Sequence, residues 1–188
     1  MRETSGLELN SVTIPEVELD HAFAEHLEAT PAFQTWLLSK TRFRRFSAEA
    51  ILLAEEQASA RKAKHWWKHW WLRLADGTES ETDIFAVFEN STKARFALHI
   101  ENKPPHGKLL IRQAADYRKR AIQMAGKDKF LRYEDFATIL LAPESFIRQH
   151  SECADQFDTH VTYEELADVI PLYADSLSLK IGRVPLQI

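Results

Sequence analysis

Three polar residues, Glu101, Asn102 and Lys103, close an apolar run in "FALHIENKPPHGK" (residues 96–108), just before two prolines. Phe96, Leu98 and Ile100 alternate as a strand does, so Glu101 and Lys103, two positions apart, lean to one face. Upstream, "DIFAVFE" alternates in the same way, and Asn90-Ser91-Thr92-Lys93 is a turn between the two runs. A turn centred there pairs Phe88 with Phe96, Ala86 with Leu98 and Ile84 with Ile100, and sets Asp83 across from Glu101. A slip of one residue would send the two acids to different faces. Like charges directly opposed on a sheet are destabilising, so this register predicts a cation between them. Hard carboxylate oxygens suit Mg²⁺ or Mn²⁺, which take one or two carboxylates and keep several waters. The backbone carbonyl of Asn102 is placed as a further ligand. The Lys103 ammonium can hold or polarise an attacking water and stabilise charge developing on a phosphoryl group.

The elements that must hold these residues follow from the same patterns. Residues 16–29 carry the apolar spacing of a helix. Thr30-Pro31 opens a second helix through Phe33, Trp36, Leu37 and Leu38. Ser47 is expected to cap a third, running through Ile51, Leu52, Leu53 and Ala58 to about Lys64. Three strands follow near 66–75, 78–89 and 94–101, the first two joined by Asp76-Gly77, a strong hairpin signal. "KLLIRQAADYRKRAIQMAG" is helical with Gly126 as its stop, "FATILLAP" is a buried strand closed by Pro143, and Thr162-Tyr163-Glu164-Glu165 has the capping-box form. This order predicts one α/β domain (mixed α+β), a mixed four- to five-stranded sheet flanked by helices. It divides into an N-terminal helical extension (1–46), a core (47–145) and an acidic C-terminal helical region (146–188).

Other chemistry along the chain is weaker. Glu81 shares the face of Asp83 and reads as a solvated strand residue. His99 shares the face of Glu101 and reads as a satisfied, partly buried histidine. His65 and His69 have zinc-like spacing but no third ligand. Alternation buries half of Trp66, Trp67, Trp70 and Trp71, leaving the other half able to stack on single-stranded bases.

The chain has 188 residues, 45% apolar with 11 Phe and 5 Trp, enough for a substantial core. Its one cysteine, Cys153, excludes an intrachain disulfide and favours a reducing, cytoplasmic setting. The N-terminus has no apolar segment of signal-peptide type, and no run is long enough to span a membrane. The net charge of −4 hides an asymmetry: residues 1–30 carry seven acids and one base, residues 134–188 ten acids and three bases, and the middle 20 bases against 11 acids. A basic middle between acidic ends supplies a local phosphate-attracting field. Its candidate phosphate contacts are Lys40, Arg42, Arg44 and Arg45, then Lys64, Lys68 and Lys108, and then Arg112, Arg118, Lys119 and Arg120.

Asp83 at a strand start, followed by a β-turn and by Glu101-Asn102-Lys103 ending the next strand, resembles the core motif of the PD-(D/E)XK nuclease superfamily. Gln113-Ala114-Ala115-Asp116-Tyr117 is similar to the Q-x-x-x-Y signature of its RecB-like branches, among bacterial defence and repair nucleases. Thr82 stands where the family name has Pro. The resemblance spans roughly residues 47–145. It implies a restriction-endonuclease-like core and Mg²⁺-dependent hydrolysis of DNA phosphodiesters. Asp83 and Glu101 would bind metal, Lys103 would assist the water, and Gln113 and Tyr117 would position the strand or the site. Many members add a glutamate from the helix before the sheet, for which Glu55 and Glu56 are the candidates. DNA is the implied partner, with a second copy of the chain or a partner protein as further ones and no membrane. The alternative is a nuclease fold without activity that binds nucleic acid or a protein partner.

Overall fold

The computed structural model describes residues 13–73 and 77–178. In chain order its elements are α1 (Glu16–Ala29), α2 (Pro31–Ser39), β1 (Ile51–Leu52), α3 (Ala54–Arg61), β2 (Trp70–Arg73), β3 (Glu79–Thr82), β4 (Ile84–Glu89) and β5 (Arg95–Asn102). Then come α4 (Ile111–Met124), β6 (Asp135–Ala142), α5 (Glu144–Gln149), α6 (Ser151–Ala154), β7 (Thr159–Thr162), α7 (Tyr163–Ala167) and α8 (Pro171–Ser178).

The β4–β5 hairpin has the register its apolar alternation implied: Ile84 opposite Ile100, Ala86 opposite Leu98 and Phe88 opposite Phe96. The turn is local chemistry. The Asn90 side-chain oxygen accepts the N–H groups of Thr92 and Ala94, both at 3.0 Å, while Lys93 takes the left-handed conformation at φ 66°. Around this hairpin the sheet runs β1-β4-β5-β6-β7, antiparallel as far as β5 and parallel beyond it. Parallel pairing needs a crossover, and α4 supplies it between β5 and β6.

Even-numbered side chains of β4 and β5 enter one core with Leu19, Phe23, Leu37, Tyr163, Leu166 and Tyr173, so α1, α2, α7 and α8 cover that face. On the other face, Phe85, Val87 and Ala97 meet Trp70, Met124 and Tyr133. Leu140 and Ala142 there meet Ala114, Tyr117, Phe146 and Ala154 of α4–α6. Each large side chain buried in this way contributes roughly 1.5–3 kcal/mol. The result is a mixed sheet between two helical layers, and α1 is built into its core.

Two sequence expectations are corrected. Ser47 does not cap a helix running to Lys64: its hydroxyl donates to Arg44 O (2.8 Å), and Ile51 and Leu52 instead form β1 against Glu89 and Phe88. The helix begins only at Ala54. There Gln57 takes over where β1 ends, its side chain donating to Phe85 O (2.9 Å) and accepting from Val87 N (2.8 Å), which satisfies the edge of β4. The expected strand 78–89 breaks at Asp83. Its first part, β3, pairs with β2 as a separate two-stranded ribbon. Asp76 of the expected turn lies outside the described residues, and Gly77 has φ 84°. Two stop and start signals act as read. Gly126 (φ 70°) ends α4 and donates to Tyr133 O, and Thr162 and Glu165 make both capping-box hydrogen bonds.

Candidate functional site

Glu101, Asn102 and Lys103 end β5 at the carboxyl edge of the parallel strands, where open α/β sheets form ligand crevices. Strand alternation turns Glu101 and Lys103 toward the α4 face and Asn102 toward α1 and α7. Asp83 sits at the bend between β3 and β4, and its carboxylate accepts the Asn102 N–H at 3.0 Å. The two acids therefore meet at the same strand end.

Lys103 lies at the centre of this group. Its Nζ is 2.6 Å from Glu101 Oε1, 3.2 Å from the Asn102 carbonyl oxygen, 3.4 Å from Glu16 Oε2 and 4.0 Å from Asp83 Oδ2. Burial works against its charge, but Glu101, Asp83 and Glu16 outweigh it and raise the pKa. Burial pushes the Asp83 carboxyl well above the usual range, and the neighbouring Glu101 adds to this. Glu101 itself is 1% exposed, and its Oε2 has no hydrogen-bond partner. A buried carboxylate oxygen left unmatched costs about 1–3 kcal/mol or more.

Two acids of α1 complete the group. Glu16 reaches Lys103. Asp20, 6% exposed, accepts from Asn102 Nδ2 at 2.7 Å, and Asn102 Oδ1 in turn accepts from Tyr163 OH at 2.6 Å. Burial raises Asp20 to about 7. Sequence reasoning missed both acids; their signal, an i, i+4 acidic pair on the first helix, is easily taken for a solvated face. Glu55 and Glu56, the residues expected in this role, are not here. Both are exposed, and Glu56 pairs with Arg95 (2.8 Å), at the start of β5 rather than its end.

From α4, Gln113 Nε2 donates to Glu101 Oε1 (2.8 Å), and the Tyr117 hydroxyl accepts from Asp83 N (3.3 Å). Burial, with Asp83 and Glu101 close by, raises the Tyr117 pKa well above its ordinary value and keeps the phenol neutral. A cleft of about 400 Å³ opens beside these residues, walled by Ser80, Glu81 and Asp83 on one side and Arg112, Gln113, Tyr117 and Arg120 on the other.

The donor set is all oxygen: the Asp83 and Glu101 carboxylates and the Asn102 carbonyl, with Glu101 Oε2 unmatched. Among the described residues no three His, Cys, Asp or Glu side chains converge as a metal-binding group. Two carboxylates, one carbonyl and waters fit Mg²⁺ or Mn²⁺, which rarely require an all-protein cage.

The basic residues expected to meet phosphate divide. Arg112 and Arg120 wall the cleft. Lys119 is on the same helix and pairs with Asp116 (3.0 Å). Arg44, Arg45, Lys64, Lys68 and Lys108 form no ion pair among the described residues, though Lys68 lies over the Trp67 ring. Lys40 instead pairs with Glu165 (2.6 Å), and Arg42 and Arg118 both pair with Asp158. Arg42 and Arg45 border a pocket with Arg95 and Asp135, at the end of the sheet away from Glu101. Arg120 is 1% exposed, a buried cation in the cleft wall and not one on the open surface.

Trp66, Trp67 and Trp70 are buried, and Trp71 is 47% exposed. His65 and His69 lie in irregular chain before β2; His69 meets Glu81 at 3.0 Å. His99 is fully buried between Thr82 Oγ1 (3.2 Å) and Tyr133 OH (3.0 Å), and burial lowers its pKa well below normal.

No described helix is long and apolar enough to cross a membrane. Compared with known protein families, curated proteins and solved structures, the chain finds no match.

Proposed function

We propose that this protein is a metal-dependent nuclease of PD-(D/E)XK type that hydrolyses DNA phosphodiester bonds in the cytoplasm, in phage defence or DNA repair. The observation that carries the reading is the meeting of Asp83, Glu101 and the Asn102 carbonyl around Lys103, with the buried Glu101 Oε2 left unmatched. Asp83 and Glu101, with that carbonyl, would hold Mg²⁺ or Mn²⁺, and Glu16 stands beside them. Bound there, the ion supplies Lewis-acid polarisation of a water and neutralises charge on the scissile phosphate.

The chain's own residues do the rest. Gln113 fixes the Glu101 carboxylate by its 2.8 Å hydrogen bond, and Tyr117 pins the backbone at Asp83. Lys103, held cationic by its acidic neighbours, would hold the attacking water by donating a hydrogen bond to its oxygen and would bring a positive charge to the phosphoryl oxygens. The neighbouring cleft of about 400 Å³ is lined along α4 by Arg112, Gln113, Asp116, Tyr117 and Arg120.

Plasmid and linear DNA incubated with Mg²⁺, Mn²⁺ or EDTA test this. Cleavage is expected with either metal and none with EDTA, and Glu101→Gln should lower it at least a hundredfold while leaving the circular dichroism spectrum unchanged. Cleavage that persists in EDTA would falsify the assignment. A second reading, a module that binds nucleic acid or a protein partner without cutting, is favoured by the ammonium of Lys103 lying among the oxygens a metal would need. Salt-dependent DNA binding without products under any metal distinguishes it.

A further inference from the structure

Arg120 is a buried cation with no carboxylate. The guanidinium is 1% exposed, yet no acid among the described residues forms an ion pair with it. Its Nε donates to Thr82 Oγ1 at 2.7 Å, its Nη1 donates to Ser80 Oγ, and its plane stacks over the Tyr117 ring at 4.0 Å. Nη2 has no acceptor among the described residues. Buried charges are ordinarily paired, because an uncompensated one costs several kcal/mol. The carboxylates nearest in sequence or across the cleft are engaged elsewhere: Asp116 with Lys119 (3.0 Å) and Glu81 with His69 (3.0 Å).

The side chain also lines the cleft that runs past Asp83, and hydroxyls stand beside it. A guanidinium with a free N–H edge and flanking hydroxyls is a phosphate-type receptor. The β2–β3 ribbon stands over it; the ribbon shares no ladder with the five-stranded sheet, while Trp70 anchors it on Phe85, Val87 and Ala97.

We infer that Arg120 holds one phosphodiester of the bound nucleic-acid strand, a phosphate adjacent to the scissile one, with Nη2 donating to a non-bridging oxygen and Ser80 beside it. This rests on the nuclease reading for the identity of the strand, but not on any cut being made. The phosphate completes the charge balance that the folded protein leaves open. Arg120 also bonds the residue before Asp83, so a filled phosphate site fixes the position of one expected metal ligand.

The test is binding by fluorescence anisotropy in EDTA, where no cleavage occurs, with single-stranded oligonucleotides in which one linkage at a time is a neutral methylphosphonate. For the wild-type chain one linkage should weaken binding about tenfold when neutralised. For Arg120→Met that linkage should make no difference, and the salt slope of binding should fall by about one unit. Should Arg120→Met fail to fold, Arg120→Lys and Ser80→Ala replace it; each keeps or spares the buried charge and should weaken the sensitivity to the same linkage. Sensitivity that is equal in the wild type and the variants overturns the proposal, as does the absence of any sensitive linkage. Inorganic phosphate is the control: stabilisation of the wild type by phosphate without any oligonucleotide binding means that the site takes a free anion and overturns the strand assignment. The nuclease reading fails separately, by the absence of products in Mg²⁺ and Mn²⁺.

Discussion

Replacing Lys103 with methionine should separate metal binding from catalysis. The lysine is 7% exposed and contacts a Glu101 that is 1% exposed, with Asp83 and Glu16 within 4.0 Å. Methionine keeps most of the stem, so the lost packing is small. What disappears is, among the described residues, the only cation paired with these three acids. Removing one partner of a buried pair costs about 3–5 kcal/mol, a large share of the 5–15 kcal/mol that holds a typical domain together. At roughly 2–4 °C per kcal/mol for a chain of this size, Tm in EDTA should fall by roughly 6–20 °C.

The opposite should hold with metal present. In the wild type an entering ion competes with the ammonium for Glu101 Oε1 and the Asn102 carbonyl; in the variant it does not. Mn²⁺ should therefore raise the Tm of Lys103→Met by more than that of the wild type; at a hundred times its Kd for the variant it adds about 2.7 kcal/mol to the variant's stability. DNA cleavage should nevertheless be lost, because the group that meets the water is gone. Thermal unfolding followed by tryptophan fluorescence in EDTA and in Mn²⁺, beside a cleavage assay, reads all three. Equal melting of variant and wild type in EDTA, or an equal Mn²⁺ effect on both, refutes the reasoning.

Three further outcomes are expected. Asp20, raised to about 7 from 3.8, keeps a proton in the folded state that the unfolded chain releases. Metal-free stability should thus fall as pH rises through that window, by about 1.4 kcal/mol per unit at most; Asp20→Asn should flatten the slope and be the more stable at pH 8, checked by urea midpoints at several pH values. Gln57→Leu strands Val87 N–H and Phe85 C=O at the edge of β4 and should cost roughly 2–5 kcal/mol in urea unfolding, with loss below 1 kcal/mol counting against the edge role. Glu55→Ala with Glu56→Ala should leave Mn²⁺ binding by calorimetry and DNA cleavage unchanged, and a tenfold weaker affinity would return those residues to the site.

The hairpin at the heart of the site was legible because its information is local. Alternation through 84–89 and 95–100 sorts side chains onto two faces, a turn of Asn90–Lys93 sets the register, and together they bring Asp83 to the end of the strand that carries Glu101. The capping box at Thr162 and the stop at Gly126 were legible for the same reason: each is chemistry within a few residues.

What the tertiary structure decided is everything that crosses the sheet. Glu16 precedes Lys103, and Asp20 precedes Asn102, by more than eighty positions, and they meet only because Leu19 and Phe23, on the same helix, bury themselves against β5. Glu55 and Glu56 carry an equivalent local signature, acids in the first turn of a helix before a strand, but Arg95 holds Glu56 at the far end of the sheet. Gln57 acts as a strand substitute only because β1 stops after two residues, and Arg120, one base among several on α4, is buried by the ribbon and Tyr117. Periodicity specifies which way a side chain faces along its own element. Which distant charge it then meets is set by how the helices settle on the sheet, and no short window of sequence contains that.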